Sequence, residues 1–348
     1  MSEKSLDIRL LFIMQGYLLV NFGGPRAIEE IAPFLRALLT DIDVIHPTFP
    51  RPFHHLLFSF IAQRRAKIIA KDYEEIGGKS PIFEETEHLA KLLEGRLNAP
   101  VFTFHRYLPS THKKTLSLME NTPCQKITVF PLFPQFTYAT TGSCARFFAK
   151  RLSRRVIDKL NWVPSYPTHV AFTSLWRKIL EEFLENHHLK EEETFFLFSA
   201  HGLPQAFIDE GDPYEKECQL CVKQVMQAFP KICYHLSYQS QFGKEKWIQP
   251  YTSSLCQNVL SWHKGKKNIL FVPISFTSDH IETLFEVEKI YMPLIKKAAL
   301  SPFRVPACYS HSTFPDVIMA ILEAFSPCHT SLLIRNTYPN NRTGKRVM

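Results

Sequence analysis

Four short apolar runs limit what this chain can become: "YLLVNF" (17–22), "KITVFPLF" (126–133), "TFFLFSA" (194–200) and "NILFVPIS" (268–275). Each reads as a buried strand. Between them lie helical patterns such as "EEIAPFLRALL" (29–39), "TEHLAKLLEGRL" (86–97) and "LWRKILEEFLENHH" (175–188). Strands alternating with helices of this length predict an α/β chain with parallel sheets covered on both faces. The pieces also come in matched pairs. "YLLVNFGGP" and "FFLFSAHGLP" are both a strand ending in small residues and a proline. "ITVFPLFPQFTYATTGS" and "ILFVPISFTSDHIETLF" both run from a proline-containing strand to an aromatic, a threonine and a helix start. The expectation is two related doubly wound domains divided near Pro164–Pro167: residues 1–165, then 166–330, then a basic tail at 331–348. Ligands of such sheets sit beyond the carboxyl ends of the strands, where all four segments deliver their polar residues.

Composition narrows the setting. At 348 residues and 45% apolar, the chain buries a substantial core, and with 12 glycines and no Ser/Gly linker its domains pack together rather than hang on a tether. Eight cysteines, six of them well apart in a chain too long to need staples, read as reduced thiols of a cytosolic protein. Only Cys218-x-x-Cys221 has ligand spacing, and no second pair accompanies it, so two helix thiols are expected there. The N-terminal patch "LLFIM" follows acidic residues and precedes no small-residue cleavage site, which argues against a secretory signal. No stretch approaches the roughly 18 apolar residues of a membrane span. The net charge is +8, and Arg335, Arg342, Lys345 and Arg346 of the acid-free tail supply half of it. A solvated tail explains this better than a nucleic-acid surface.

The densest chemistry is "FTSDHIETLFEVE" (276–288). On an ordinary helix Asp279, Glu282 and Glu286 share one face, whereas His280 lies about 200° from Glu282. The two meet only at the helix start or across a distortion such as a π-bulge. An acidic, dipole-favoured first turn accounts for Asp279. It accounts less well for Glu282 and Glu286, whose i, i+4 repulsion calls for a metal or a proton to compensate. His201 of "LFSAHGLP" sits between two small residues that leave its ring open. It is a natural neutral-pH base and a ligand for first-row metals. The segment "HPTFPRPFHHLLFSFIAQRR" (46–65) sets Phe49, Phe53, Leu56, Leu57, Phe58, Phe60 and Ile61 against His54, His55, Arg64 and Arg65. It fits a core helix with a basic end and an exposed lip equally well.

With "VNFGGP", "YEEIGGKSPI", "FPQFTYATTGS", "LFSAHGLP" and "PISFTSDHIETLFEVE" in family order from about 16 to 325, the chain resembles the ferrochelatases. The resemblance implies two Rossmann-like domains with a porphyrin cleft between them, and the insertion of ferrous iron into a porphyrin. It implies that His201 and Glu282 face each other as the metal-site pair. His280 and Glu286 would extend the row, with Asp279 supporting it, on a helix with a π-type distortion. Phe22, Arg65, Tyr73, Ser80, Arg106, Tyr107 and Trp247 match further porphyrin-cleft positions, and 52–61 matches a membrane-facing lip. That apolar lip favours protoporphyrin IX over coproporphyrin III. Many relatives hold a [2Fe–2S] cluster on clustered C-terminal cysteines. Here Tyr138 stands at the upstream position and Cys328 alone near the end, so no cluster is expected.

The chemistry that follows is ring buckling in the cleft, with His201 as the base for pyrrole protons. Glu282, Glu286 and His280 would pass protons or metal, and Arg65 and Arg106 would pair with the propionates. The expected partners are protoporphyrin IX and Fe²⁺, with no nucleic acid. The expected location is the cytoplasm, with room for peripheral contact at the inner membrane surface. A zinc hydrolase lacks its HExxH spacing here. A non-catalytic haem carrier on the same fold would have no need of His201 with Glu282.

Overall fold

The computed structural model describes residues 14–46, 50–243 and 245–335. Phe49, the N-terminal apolar patch and the tail cations Arg342, Lys345 and Arg346 lie outside the described residues.

The first sheet is built from β1 (Gln15–Asn21), β2 (Val101–His105), β3 (Lys126–Pro131) and β4 (Leu160–Trp162), in the order β2-β1-β3-β4. The second is built from β5 (Thr194–His201), β6 (Cys233–Gln239), β7 (Asn268–Val272) and β8 (Ser301–Arg304), in the order β6-β5-β7-β8. All these pairings are parallel. Parallel strands covered on both faces need apolar side chains on both, which explains the uninterrupted runs in the sequence. Leu18, Val20, Val129, Phe196, Phe198 and Leu270 are all fully buried.

The duplication read from the sequence is therefore a repeat of topology. In each half the chain places its second strand on one side of the first, then crosses to the other side for the third. This leaves a switch point between β1 and β3 and another between β5 and β7. Val20 pairs with Pro131 at the end of one, and Phe198 with Val272 at the end of the other. A single apolar core joins the halves: Leu19, Phe130 and Leu132 from the first sheet pack in one cluster with Phe196, Phe198, Leu270 and Val272 from the second. The helix Val170–Asn186 adds Phe172, Leu175, Trp176, Ile179 and Leu180 to that cluster, at helical spacing.

The chain end departs from the expected division. β9 (Cys328–His329) leaves the second half and pairs antiparallel with β4, and Trp162 Nε1 donates to Thr330 Oγ1 at 3.0 Å. Leu333 is buried with the core of the first sheet. The residues from Cys328 to Leu333 thus pack with the first unit in space, while Arg335 reaches across to Glu210 of the second half.

Three helices cover the first switch point: α1 (Ile31–Leu39), α2 (Arg51–Glu74) and α3 (Ile82–Leu97). In α2 the choice between core helix and exposed lip resolves residue by residue. Ala62, Ala66 and Tyr73 face inward, whereas Phe53, Leu56, Leu57 and Phe60 are exposed, Leu56 by 71%.

Candidate functional site

The two switch points face one another across a cavity of about 370 Å³. Phe22 reaches it from the end of β1, Leu132 and Phe133 from the end of β3, His201 from the end of β5 and Ser275 from the segment after β7. Helices α1 and α2 close one side with Phe34, Leu35, Leu38, Arg65 and Tyr73. Placement at strand ends is what the doubly wound topology dictates.

The polar side of the cavity is built on a π-helix, Ile281–Tyr291. His280 precedes that helix in extended backbone, with φ −165°. Its N–H donates to Thr283 Oγ1 at 3.0 Å. The angular separation expected on a regular helix therefore does not arise, and His280 Nε2 comes within 3.7 Å of Glu282 Oε1. Glu282 Oε2 lies 2.7 Å from His201 Nδ1. Ser240 Oγ is 2.7 Å from the same Glu282 oxygen and 2.8 Å from Glu286 Oε2, which also accepts from Tyr291 at 3.3 Å. A hydroxyl carries one proton and cannot donate to two carboxylates at once. The arrangement closes well when Glu286 is protonated, donates to Ser240, and Ser240 donates to Glu282.

The electrostatics agree with that proton count. Burial alone would lower the His201 ring pKa, but the charge and hydrogen bond of Glu282 and the charge of Glu286 outweigh it and raise the ring above its usual value. Burial opposes ionisation of Glu282, yet His201 and His280 together hold it well below the usual carboxylate range. Burial, joined by the Glu282 charge, pushes Glu286 up to about 7. Adjacent carboxylates with separated proton affinities are suited to passing protons rather than to neutralising each other.

The sequence pattern of the ferrochelatase family matches residues 14–325. Ferrochelatase of Chlamydia caviae is 41% identical over 324 residues, covering 93% of this chain and all of that protein. Ferrochelatases of Chlamydia pneumoniae and Chlamydia trachomatis serovar L2 are also 41% identical, each over 92% of this chain and 96% and 98% of their own. The chain belongs to the ferrochelatase family. By fold it also resembles the solved structure of CbiX, described as the terminal enzyme of sirohaem biosynthesis in denitrifying bacteria. The TM-score there is 0.50 at 13% identity, over 89% of this chain and the whole of CbiX.

As a ferrochelatase-family chain it brings Phe22, Arg65, Tyr73, Ser80, Trp247, His201, His280, Glu282 and Glu286 to one cavity. Trp247 packs edge-on to His201 at 6.4 Å. A Cβ at Gly202 would meet the Trp247 ring at 3.1 Å and the Gln239 carbonyl at 2.9 Å, so the glycine beside His201 serves that packing. Three expected members lie elsewhere. Arg106 and Tyr107 do not line the cavity, because both turn to the buried Asp41 carboxylate, at 2.6 and 2.9 Å. Tyr107 instead backs Phe22, ring to ring at 4.6 Å. Pairing of Arg106 with a propionate is thereby corrected, since its guanidinium is already taken up by Asp41 and Ser143. Asp279 faces away from the cavity and shares Arg304 with Glu288, at 2.8 and 2.6 Å.

Ser240 and Phe242 are unforeseen cavity residues in this ferrochelatase-family chain, and Tyr291 supports Glu286 from behind. Ser240 and Phe242 follow β6, whose sequence "CYHLSYQ" is too polar to read as a buried strand. The one available signal was its position, a polar segment between two apolar runs. The helix thiols Cys218 and Cys221 are fully buried, and burial pushes both up, away from ionisation. Among the described residues, no helix is long and apolar enough to cross a membrane.

Proposed function

We propose that this chain inserts ferrous iron into protoporphyrin IX, forming protohaem and releasing two protons. The observation that carries the reading is the 2.7 Å pairing of His201 with Glu282 in a cavity with a large aromatic and aliphatic wall. Insertion requires a base for two pyrrole protons and a transient site for a divalent cation. Imidazole beside carboxylate meets both needs, with ligands weak enough to release Fe²⁺.

The order of events follows from the charges. In the empty cavity the Glu282 charge favours a protonated His201. Fe²⁺ arriving at Glu282 offsets that charge, so His201 becomes a base as the metal comes within reach. His201 Nδ1 is held by Glu282, which leaves Nε2 as the nitrogen that takes a pyrrole proton. The proton then has a row of acceptors in Glu282, Ser240 and Glu286. Phe22, Tyr73 and Trp247 offer aromatic contact to the macrocycle, and binding there supplies the energy to buckle it.

Protoporphyrin rather than coproporphyrin III is favoured by the apolar wall of Phe34, Leu35, Leu38, Leu39 and Val44, which suits uncharged ring substituents. The exposed Phe53, Leu56, Leu57 and Phe60 support peripheral contact of a cytoplasmic protein with a membrane surface. In this reading the chain needs no [2Fe–2S] cluster, and an assay for acid-labile sulfide in purified protein would return none.

The test is anaerobic: purified protein with Fe²⁺ and either porphyrin, with the Soret and visible bands followed over time. Haem formation faster with protoporphyrin IX, and lost in His201→Ala and Glu282→Gln, is expected. Tight porphyrin binding without metallation, unchanged in both variants, would make the protein a carrier.

A further inference from the structure

At the mouth of the cavity the guanidinium of Arg65, on α2, lies over the Phe242 ring, 5.6 Å from its centroid. Phe242 in turn packs edge-on against Trp247 at 5.1 Å, and Trp247 is 4% exposed. Arg65 and Phe242 come from opposite halves of the molecule, and both line the cavity. The loop that presents Phe242 is bent at two left-handed backbone positions, Ser240 at φ 64° and Gly243 at φ 77°. Glycine adopts that conformation freely, but serine does so at a cost, which its two carboxylate contacts offset. The ring is thus held in place by the loop's own anchoring.

A guanidinium held by cation–π attraction beside a ring keeps N–H groups for an acceptor. Among the described residues no carboxylate or carbonyl takes up those groups of Arg65. A cation on a cavity wall, with an aromatic ring beside it and its N–H groups not taken up, is suited to meet a carboxylate with its fork.

We propose that Phe242 is a positioning residue for substrate selection: it fixes the Arg65 fork so that a carboxylate on the rim of the bound ligand is recognised. The proposal rests on the porphyrin reading above and adds the residue that sets discrimination between acid and uncharged ring substituents. A fork fixed before binding loses less rotamer freedom when the carboxylate arrives, so the benefit falls on acid-bearing ligands alone.

The experiment is metal-free binding, by fluorescence quenching of the full chain with protoporphyrin IX and with its dimethyl ester. The quantity read is the ratio of the two dissociation constants. Wild-type protein should prefer the acid. Phe242→Leu, which keeps apolar bulk, should reduce that preference by roughly two- to fivefold, the size of one cation–π contact. Arg65→Gln should remove most of the preference, and Phe242→Leu should then change it no further. A Phe242→Leu variant that weakens acid and ester equally would reduce Phe242 to part of an apolar wall and overturn the proposal. An unchanged ratio would do the same. Wild-type protein that binds neither porphyrin would overturn the functional reading itself, and the clamp with it.

Discussion

His201 Nδ1 and Glu282 Oε2 lie 2.7 Å apart, although 81 residues separate them and they arrive on different elements of the second half. His201 is the last residue of β5 and Glu282 is in the first turn of the π-helix, so their meeting depends on a strand end and a helix start converging at one switch point. The pairing fixes how the ring titrates. A raised folded-state pKa means that the protonated ring is favoured, and that stabilisation is lost as pH rises through the folded value. Histidine NMR of metal-free protein should find His201 titrating above the usual value near 6.5. In Glu282→Gln the burial remains and the largest opposing charge is gone, so the ring should titrate lower than in the wild type. A ring that titrates unchanged in the variant would show that the pair does not control it.

Ser240→Ala removes the hydroxyl shared by two carboxylates. The expected result is a fall in kcat of about tenfold or more, with protoporphyrin affinity unchanged. Glu286 also loses the hydroxyl that meets its carboxyl group, so any rate limb near the wild-type value of about 7 should shift. Steady-state kinetics across pH checks both. An equal loss of affinity and turnover would point to a collapsed cavity wall instead.

Glu85 lies on α3 with Oε2 buried and unpartnered, and burial, joined by the Asp279 charge, raises it to about 7. A carboxyl with a raised folded value binds more protons when folded than when unfolded. Its contribution to stability therefore declines as pH rises from the unfolded range near 4.5 towards 7. Glu85→Gln should stabilise the protein by about 1–3 kcal/mol at pH 8 and by little at pH 4. Urea denaturation at the two pH values measures the difference, and equal effects at both would refute the assignment.

The Asp41 carboxylate holds Arg106, Tyr107 and Ser143 together behind the cavity. Asp41→Ala leaves the buried Arg106 without its counterion and should cost about 3–5 kcal/mol, read as a lower denaturation midpoint. Combining Asp41→Ala with Arg106→Met, which removes both charges, should cost less. If the two variants were reversed in order, the pair would not be the determinant.

Much of the architecture was readable because buried parallel strands demand continuous apolar residues. The runs at β1, β3, β5 and β7 gave both the sheet class and the repeat. β6 was illegible for the opposite reason: it edges its sheet, its first four residues reach solvent, and the buried Ser237 and Gln239 meet hydroxyl partners. β9 is two residues long, too short for any periodicity. Within the site, His201, Glu282 and Glu286 stood out as residue types that need a reason to be together. Arg106 was misplaced because the partner that takes it up, Asp41, lies 65 residues away with nothing local to announce it. Ser240 and Phe242 were missed because a serine and a phenylalanine in a loop have many ordinary explanations.

The repeated strand order has a consequence for electric potential. Two halves of the same plan face one cavity, and had they remained alike, both walls would carry like charge and repel. They differ. The first half supplies mostly aliphatic and aromatic surface, with Arg65 and Asp72 opposite in sign, whereas the second supplies Glu282 and Glu286. The slot between them is uneven across its width, with His201, Glu282 and Glu286, the groups suited to trade protons for a cation, all on one wall. A flat ligand lodged in that slot would have two chemically unlike faces, and the traffic of positive charge would be confined to only one of them.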